Sequence, residues 1–183
     1  MKKLTYLLLV LLPMMATGQT PTPTQNYIKT TAYKVSSSSA IASPTPAQAT
    51  TSVTYFDGLG RPVQQLGYQQ SASGMDIVTP IEYDAFGKQS KDYLPYTSSQ
   101  NNAAYITPST LLANQKSQYQ INFGIVNDNP YSEKVIEASP LNRVLQQAAP
   151  GNPWSLSNNH TVKLEYKANV ANEVKLYHVR KEL

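Results

Sequence analysis

Glu82 and Asp84 are the carboxylates whose spacing could suit acid–base work, because they alternate along one predicted strand and so share a sheet face. A glycosidase pair must flank a bond across a cleft, from separate elements, and a single strand supplies no cleft. Asp57 and Asp84 each open a short glycine-containing stretch, Asp57-Gly58-Leu59-Gly60 and Asp84-Ala85-Phe86-Gly87, without the alternating oxygen ligands of a calcium loop. Asn127-Asp128-Asn129-Pro130 reads the same way, as turn chemistry. His160 and His178 have no cysteine partner and no metal-ligand spacing. Serines are abundant, but there is no Gly-x-Ser-x-Gly elbow, phosphate loop or dinucleotide fingerprint. The residues therefore point away from an enzyme, and they call for no cofactor or metal. Trp154, in Pro150-Gly151-Asn152-Pro153-Trp154, could stack on a sugar ring, although packing over the third hairpin is expected, as large aromatics usually pack.

What these aspartates can do is hold turns. Tyr55-Phe56-Asp57-Gly58-Leu59-Gly60-Arg61 is repeated 27 residues later as Tyr83-Asp84-Ala85-Phe86-Gly87-Lys88, and more weakly as Ala138-Ser139-Pro140-Leu141-Asn142-Arg143. In the first two copies the aspartate, Asp57 or Asp84, is expected to accept hydrogen bonds from turn amides. Gly60, Gly87 and Asn142 should supply a positive φ, and Arg61, Lys88 and Arg143 should start the outgoing strand. Repeats at this spacing mark stacked supersecondary units.

Stepping outward from the turns, short alternating apolar runs flank them, as in a meander of hairpins. The expected strands are Thr51–Phe56, Pro62–Tyr68, Ile77–Tyr83, Lys88–Leu94, Lys134–Ala138, Arg143–Ala148, Thr161–Tyr166 and Glu173–Val179. In the last hairpin Val162, Leu164 and Tyr166 share one face, the period of a half-buried strand. One helix is expected over Ser109–Tyr119, capped by Ser109 and inserted between the second and third units. The predicted fold is mainly β, an antiparallel hairpin array with one short inserted helix.

The flanks carry different information. Lys2 and Lys3, the apolar run Leu7 to Leu12, and the small residues Ala16 and Gly18 follow the order of a secretory signal, with cleavage expected between Gly18 and Gln19. Pro13 interrupts the apolar run, which is far short of the roughly 20 residues a membrane span needs. The sequence thus divides into a signal peptide over 1–18, a Pro/Ser/Thr-rich linker over 19–50 and a β domain over 51–183 that reads as incomplete at its C-terminus. Within the linker, Asn26 to Val35 could form one strand pairing with the domain. Without cysteine, the chain has neither disulfides nor a lipoprotein thiol. Losing Lys2 and Lys3 lowers the formal charge of +4 by two, and no basic stripe remains for nucleic acid. Charged residues are only 14%, while tyrosine reaches 13, suited to strands wet at the hydroxyl end.

The two clear turns resemble the YD repeat of the RHS family, in which Tyr-Asp, two variable residues and Gly-Arg precede a strand. Tyr83 to Lys88 is close to that pattern, Phe56 to Arg61 replaces Tyr by Phe, and Ala138 to Arg143 is degenerate. Val53 to Gln65, Ile77 to Tyr96 and Asn129 to Trp154 are similar to the uncharacterised N-terminal domain that precedes RHS repeats in secreted proteins of Bacteroidetes type. The resemblance implies a non-catalytic structural or capping role in an exported β shell, the carrier part of a toxin system. Its partners would be downstream RHS repeats of the same polypeptide or a neighbouring chain. The rival reading is an extracellular module that binds a glycan or a protein through a Tyr/Trp-rich sheet face. Neither reading involves nucleic acid or stable membrane insertion.

Overall fold

The computed structural model describes residues 21–123, 129–171, 173–175, 177 and 179. The expected signal segment with Gly18 and Gln19, the Asn127-Asp128 pair and His178 lie outside the described residues. The fold is mainly β, with two antiparallel sheets and one helix. The first sheet has strand order β1-β2-β3-β4-β6, formed by β1 (Asn26–Tyr33), β2 (Ala49–Phe56), β3 (Pro62–Gly67), β4 (Ile77–Pro80) and β6 (Tyr96–Thr97). The second has order β5-β7-β8-β9, formed by β5 (Lys91–Tyr93), β7 (Tyr131–Ile136), β8 (Val144–Ala148) and β9 (Val162–Lys163). The helix α1 spans Pro108–Phe123.

Strict alternation explains why β2 anchors the fold. Ala49, Thr51, Val53 and Tyr55 face inward and are buried, while Ser52 and Thr54 face out. Val53 and Tyr55 join Leu66, Val78, Tyr96, Ala103, Ile106 and Leu111 in one core between the first sheet, the 98–107 segment and α1. Tyr55 is fully buried, and its hydroxyl donates to the Ala103 carbonyl at 2.8 Å and accepts from the Thr22 amide at 2.9 Å. Burial raises the Tyr55 pKa, so the hydroxyl stays protonated and able to donate.

Several expectations are corrected. The strand expected within Asn26 to Val35 does form, as β1, and because it pairs with β2 along its whole length, from Asn26↔Phe56 to Tyr33↔Ala49, the Pro/Ser/Thr-rich tract is more than a linker. The Lys34 amide continues the ladder to the Gln48 carbonyl at 2.8 Å, so residues 35–47 form the connection of a hairpin. The helix starts earlier than Ser109. Pro108 occupies the first helical position, where its missing N–H costs nothing, and the Leu111 amide bonds the Thr107 carbonyl. α1 packs on β4 and β6, and the Gln118 side chain accepts from the Thr97 amide at 2.7 Å, which closes the β6 edge. The expected strand Ile77–Tyr83 stops at Pro80 and Lys88–Leu94 contracts to Lys91–Tyr93, since the turn and its bonds take the remainder. Likewise Lys134–Ala138 shifts to Tyr131–Ile136 and Thr161–Tyr166 shrinks to Val162–Lys163. No strand occurs over 173–179 among the described residues. Val162, Leu164 and Tyr166 are exposed rather than half-buried, because among the described residues no apolar layer covers that face of the second sheet.

Candidate functional site

The three repeat copies fold as closely related turns. In the first, the Asp57 amide donates to the Arg61 carbonyl at 2.9 Å and the Gly60 amide to the Asp57 carbonyl at 3.1 Å, with Gly60 at φ 76°. Asp57 Oδ1 accepts from the amides of Leu59 and Arg61, both at 2.9 Å, while Oδ2 takes the Arg61 Nε at 2.8 Å. These bonds, led by the Arg61 amide, hold the Asp57 carboxyl below its ordinary pKa. The second turn repeats the backbone scheme: the Asp84 amide donates to the Lys88 carbonyl and the Gly87 amide to the Asp84 carbonyl, each at 2.9 Å, with Gly87 at φ 75°. Asp84 Oδ1 accepts from the amides of Phe86 and Lys88.

In the third turn the work of one aspartate is divided between two residues. Ser139 Oγ accepts from the Leu141 amide at 3.2 Å, and Asn142 sits at φ 52°. Glu137, two residues before the aligned position, reaches back with its longer side chain. Its carboxylate accepts from Ser139 Oγ at 2.6 Å and from Arg143 Nε at 2.9 and 3.0 Å. The Arg143 guanidinium, with Ser139, lowers the Glu137 pKa to about 2. Sequence comparison passed over Glu137 because it lies outside the aligned six residues. A carboxylate just upstream of a copy lacking Asp was the available signal.

Consecutive units touch through cations and rings. The Arg61 guanidinium lies 4.5 Å from the Tyr83 ring centroid, and the Tyr83 hydroxyl donates to the Pro62 carbonyl at 3.0 Å. Arg143 repeats the relationship with Tyr166 at 4.9 Å. The equivalence follows from topology: β4 returns beside β3 and delivers Tyr83 to the first turn, and β9 returns beside β8 and delivers Tyr166 to the third. Glu82, after β4, accepts from the Tyr93 hydroxyl of β5 at 2.6 Å, and within the second sheet Lys134 pairs with Asp92 at 2.6 Å while Lys91 lies 5.1 Å from the Tyr131 ring. Glu82 is thus engaged as an acceptor on the β4–β5 connection. The pKa of Tyr93 is raised by burial and by Glu82.

A buried acid escaped the sequence reading altogether. Asp76 has no solvent exposure, and its carboxylate accepts from the amides of Gln69 and Ala103, each at 2.8 Å. Both donors stand at positive φ, 49° and 58°, so a single carboxylate holds two strained residues in place. Burial raises the Asp76 pKa despite these bonds.

Burial is divided unequally between the sheets. Ala148 is the only described hydrophobic residue of the second sheet that is buried. Val135, Leu145 and Val162 on that sheet are exposed, as are Leu164, Tyr166 and Val170 after it. The turn tips add Leu59, Phe86 and Leu141, one at the same position in each copy. Trp154 does not pack away over the third hairpin. It is 54% exposed, 5.7 Å from the His160 ring, and separates a groove lined by Tyr119, Phe123 and Pro150 from one lined by Gln147, Asn159 and His160. Among the described residues no group of His, Cys, Asp and Glu could hold a metal ion, and no helix is long and apolar enough to cross a membrane.

Residues 29–168 match the model of a family described as a domain of unknown function, DUF6443. No curated protein and no solved structure matches the chain.

Proposed function

We propose that this chain, which belongs to the DUF6443 family, is the exported N-terminal structural segment of an RHS-type β-shell protein, with a non-catalytic carrier role. The observation that carries the reading is the unequal burial. The first sheet has a complete core, whereas the second buries only Ala148 fully among its described hydrophobic residues and leaves Val135, Leu145 and Val162 exposed. Hairpin arrays bury such faces by stacking on neighbouring units. The second sheet is therefore the growing wall, and the partners that cover it are further YD-type hairpins of the same polypeptide or of a neighbouring chain. The turns support this, since each fixes its hairpin by internal bonds and the first and third present their arginine to a tyrosine delivered by the next returning strand.

Amide hydrogen exchange on the chain alone, and on the chain joined to such hairpins, tests the reading. Amides of β7, β8 and β9 should exchange much faster than those of β2 and β3 in the chain alone, and gain protection when the hairpins are present. Equal protection of both sheets in the chain alone would remove the need for a covering partner.

A second reading, a binding module for a glycan or a protein, draws on Trp154, half-exposed between two grooves. Selective binding on a glycan array, lost on Trp154→Ala, would favour it over the wall.

A further inference from the structure

We infer that β1 is a self-complementary edge through which two copies of this chain pair antiparallel, joining their five-stranded sheets into one. The edge belongs to the first sheet and not to the second sheet's wall, and the inference does not depend on the wall reading. β1 is the outer strand of its sheet, eight residues long, free of proline and bulges, and exposed at every position except Thr31. A long regular edge of this kind is a template for another strand.

The ladder fixes which groups are offered. Lys34 bonds its partner Gln48, so the even-numbered residues of β1 exchange hydrogen bonds with β2. On the other side of β2, Tyr68 bonds Thr51, which assigns the odd residues of β2 to β3 and gives the same parity. The N–H and C=O groups of Tyr27, Lys29, Thr31 and Tyr33 therefore point away from β2, toward the open edge. A second antiparallel β1 can bond only odd residue to odd residue.

Charge and side-chain pairing then select the register. Centring the two-fold axis on Lys29 places Lys29 opposite its own copy, which like-charge repulsion disfavours. Centring it on Thr31 leaves Tyr27 beyond the partner strand's paired residues. Centring it on Thr30 pairs Tyr27 with Tyr33 and Lys29 with Thr31, with Ile28 against Ala32 on the outer face. All four outward residues are then bonded, an aromatic pair forms at each end, and no lysine faces a lysine. Tyr27 already lies 5.8 Å from Tyr55, so the added aromatic contact continues the ring cluster on the core side of the sheet. The partner is thus a second copy of this chain, held chiefly by main-chain bonds and of the weak, small-interface class.

The register is readable by cysteine placement, because the chain has no cysteine of its own. Thr30 and its copy would form a non-hydrogen-bonded pair with Cα atoms about 4.5 Å apart, a spacing that a disulfide accepts. Under mild oxidation the full chain carrying Thr30→Cys should form a covalent dimer, whereas Ile28→Cys, whose copy sits several residues away, should not. Adding Lys29→Pro removes an outward N–H that β2 does not use, so it should abolish the cross-link while leaving the melting temperature nearly unchanged. Sedimentation should show a concentration-dependent dimer of the unaltered chain that Lys29→Pro removes. A monomer at all concentrations with no Thr30→Cys cross-link would overturn the inference and leave the edge to a strand from a different polypeptide. Efficient cross-linking through Ile28→Cys, or through Thr30→Cys despite Lys29→Pro, would overturn it as well.

Discussion

The guanidinium of Arg61 rests on the ring of Tyr83, so the last residue of the first turn is seated on the residue that opens the second. Arg61 is also bonded to Asp57. One side chain thereby closes its own turn and touches the next. A double-mutant cycle between Arg61→Gln and Tyr83→Leu should give a coupling of about 0.5–1 kcal/mol. Strictly additive melting shifts would show that the two turns are independent despite their proximity.

Backbone sign gives the next expectation. Gly60 and Gly87 stand at φ 76° and 75°, where a β-branched residue is strained, so Gly60→Val and Gly87→Val should each lose about 1 kcal/mol or more. Space differs between them: a Cβ at Gly60 meets nothing, while one at Gly87 comes within 3.1 Å of the Arg61 guanidinium. That contact is with the end of a flexible side chain, so backbone strain should dominate both variants. Asn142→Gly, at φ 52°, should be neutral or stabilising, and Asn142→Val should behave like the glycine variants. Denaturant melts of the four proteins decide the matter, and a stable Gly60→Val would contradict it.

Turns were legible in the sequence because their chemistry is local: Asp57, Gly60, Asp84 and Gly87 interact almost entirely within five residues of themselves. The alternation of β2 and β3 was equally legible, since one face of each is buried. What sequence could not show depends on distant partners. Gln64 looks like an outward strand residue whose replacement should matter little, yet it is fully buried and accepts from the Ile106 amide at 3.3 Å. Asp76 reads as a loop acid, and only the folding of 98–107 over it makes it a buried node. β1 was legible only as a candidate strand over Asn26 to Val35 in a Pro/Ser/Thr-rich tract, because an exposed edge strand has no need of apolar alternation, and its full pairing with β2 is what the structure adds. The last hairpin failed for the opposite reason. The alternation of Val162, Leu164 and Tyr166 is real, but among the described residues no apolar layer packs on it.

Asp76 makes a prediction about pH. Its pKa is raised in the folded protein, so the native state binds this proton more tightly than the unfolded state does. The contribution to stability is accordingly greatest below the unfolded value of 3.8, declines as pH rises from there through the folded value, and is constant above it. Asp76→Asn should remove that slope. It should also destabilise the neutral protein by more than about 1 kcal/mol, because an amide has one oxygen to offer the amides of Gln69 and Ala103. Urea melts across the acidic range on both proteins should diverge in slope as well as in height. Identical pH dependence would mean that the carboxylate is not the group being titrated.

Glu137 should act with the opposite sign. Its pKa is depressed to about 2 by the Arg143 guanidinium and the Ser139 hydroxyl, so the folded state releases this proton more readily than the unfolded state, whose value is 4.5. The stability it contributes is fully present above the unfolded value and is lost as pH falls through about 2. Because Glu137 sits in the third turn, the loss belongs to the β7–β8 hairpin and not to the core of the first sheet. On acidification, amide exchange in β7 and β8 should quicken while β2 and β3 keep their protection. Glu137→Gln should bring the hairpin to its acid-state exchange already at neutral pH, since a neutral amide cannot pair with Arg143 as a carboxylate does. Ser139→Ala should have a smaller effect, because it removes the hydroxyl that receives the Leu141 amide but leaves Glu137 and Arg143 paired. Hairpin exchange in Glu137→Gln that matches the unaltered protein at neutral pH would show that Ser139 and Asn142 hold the turn alone, and that the displaced carboxylate does not replace the aspartate of the other two copies.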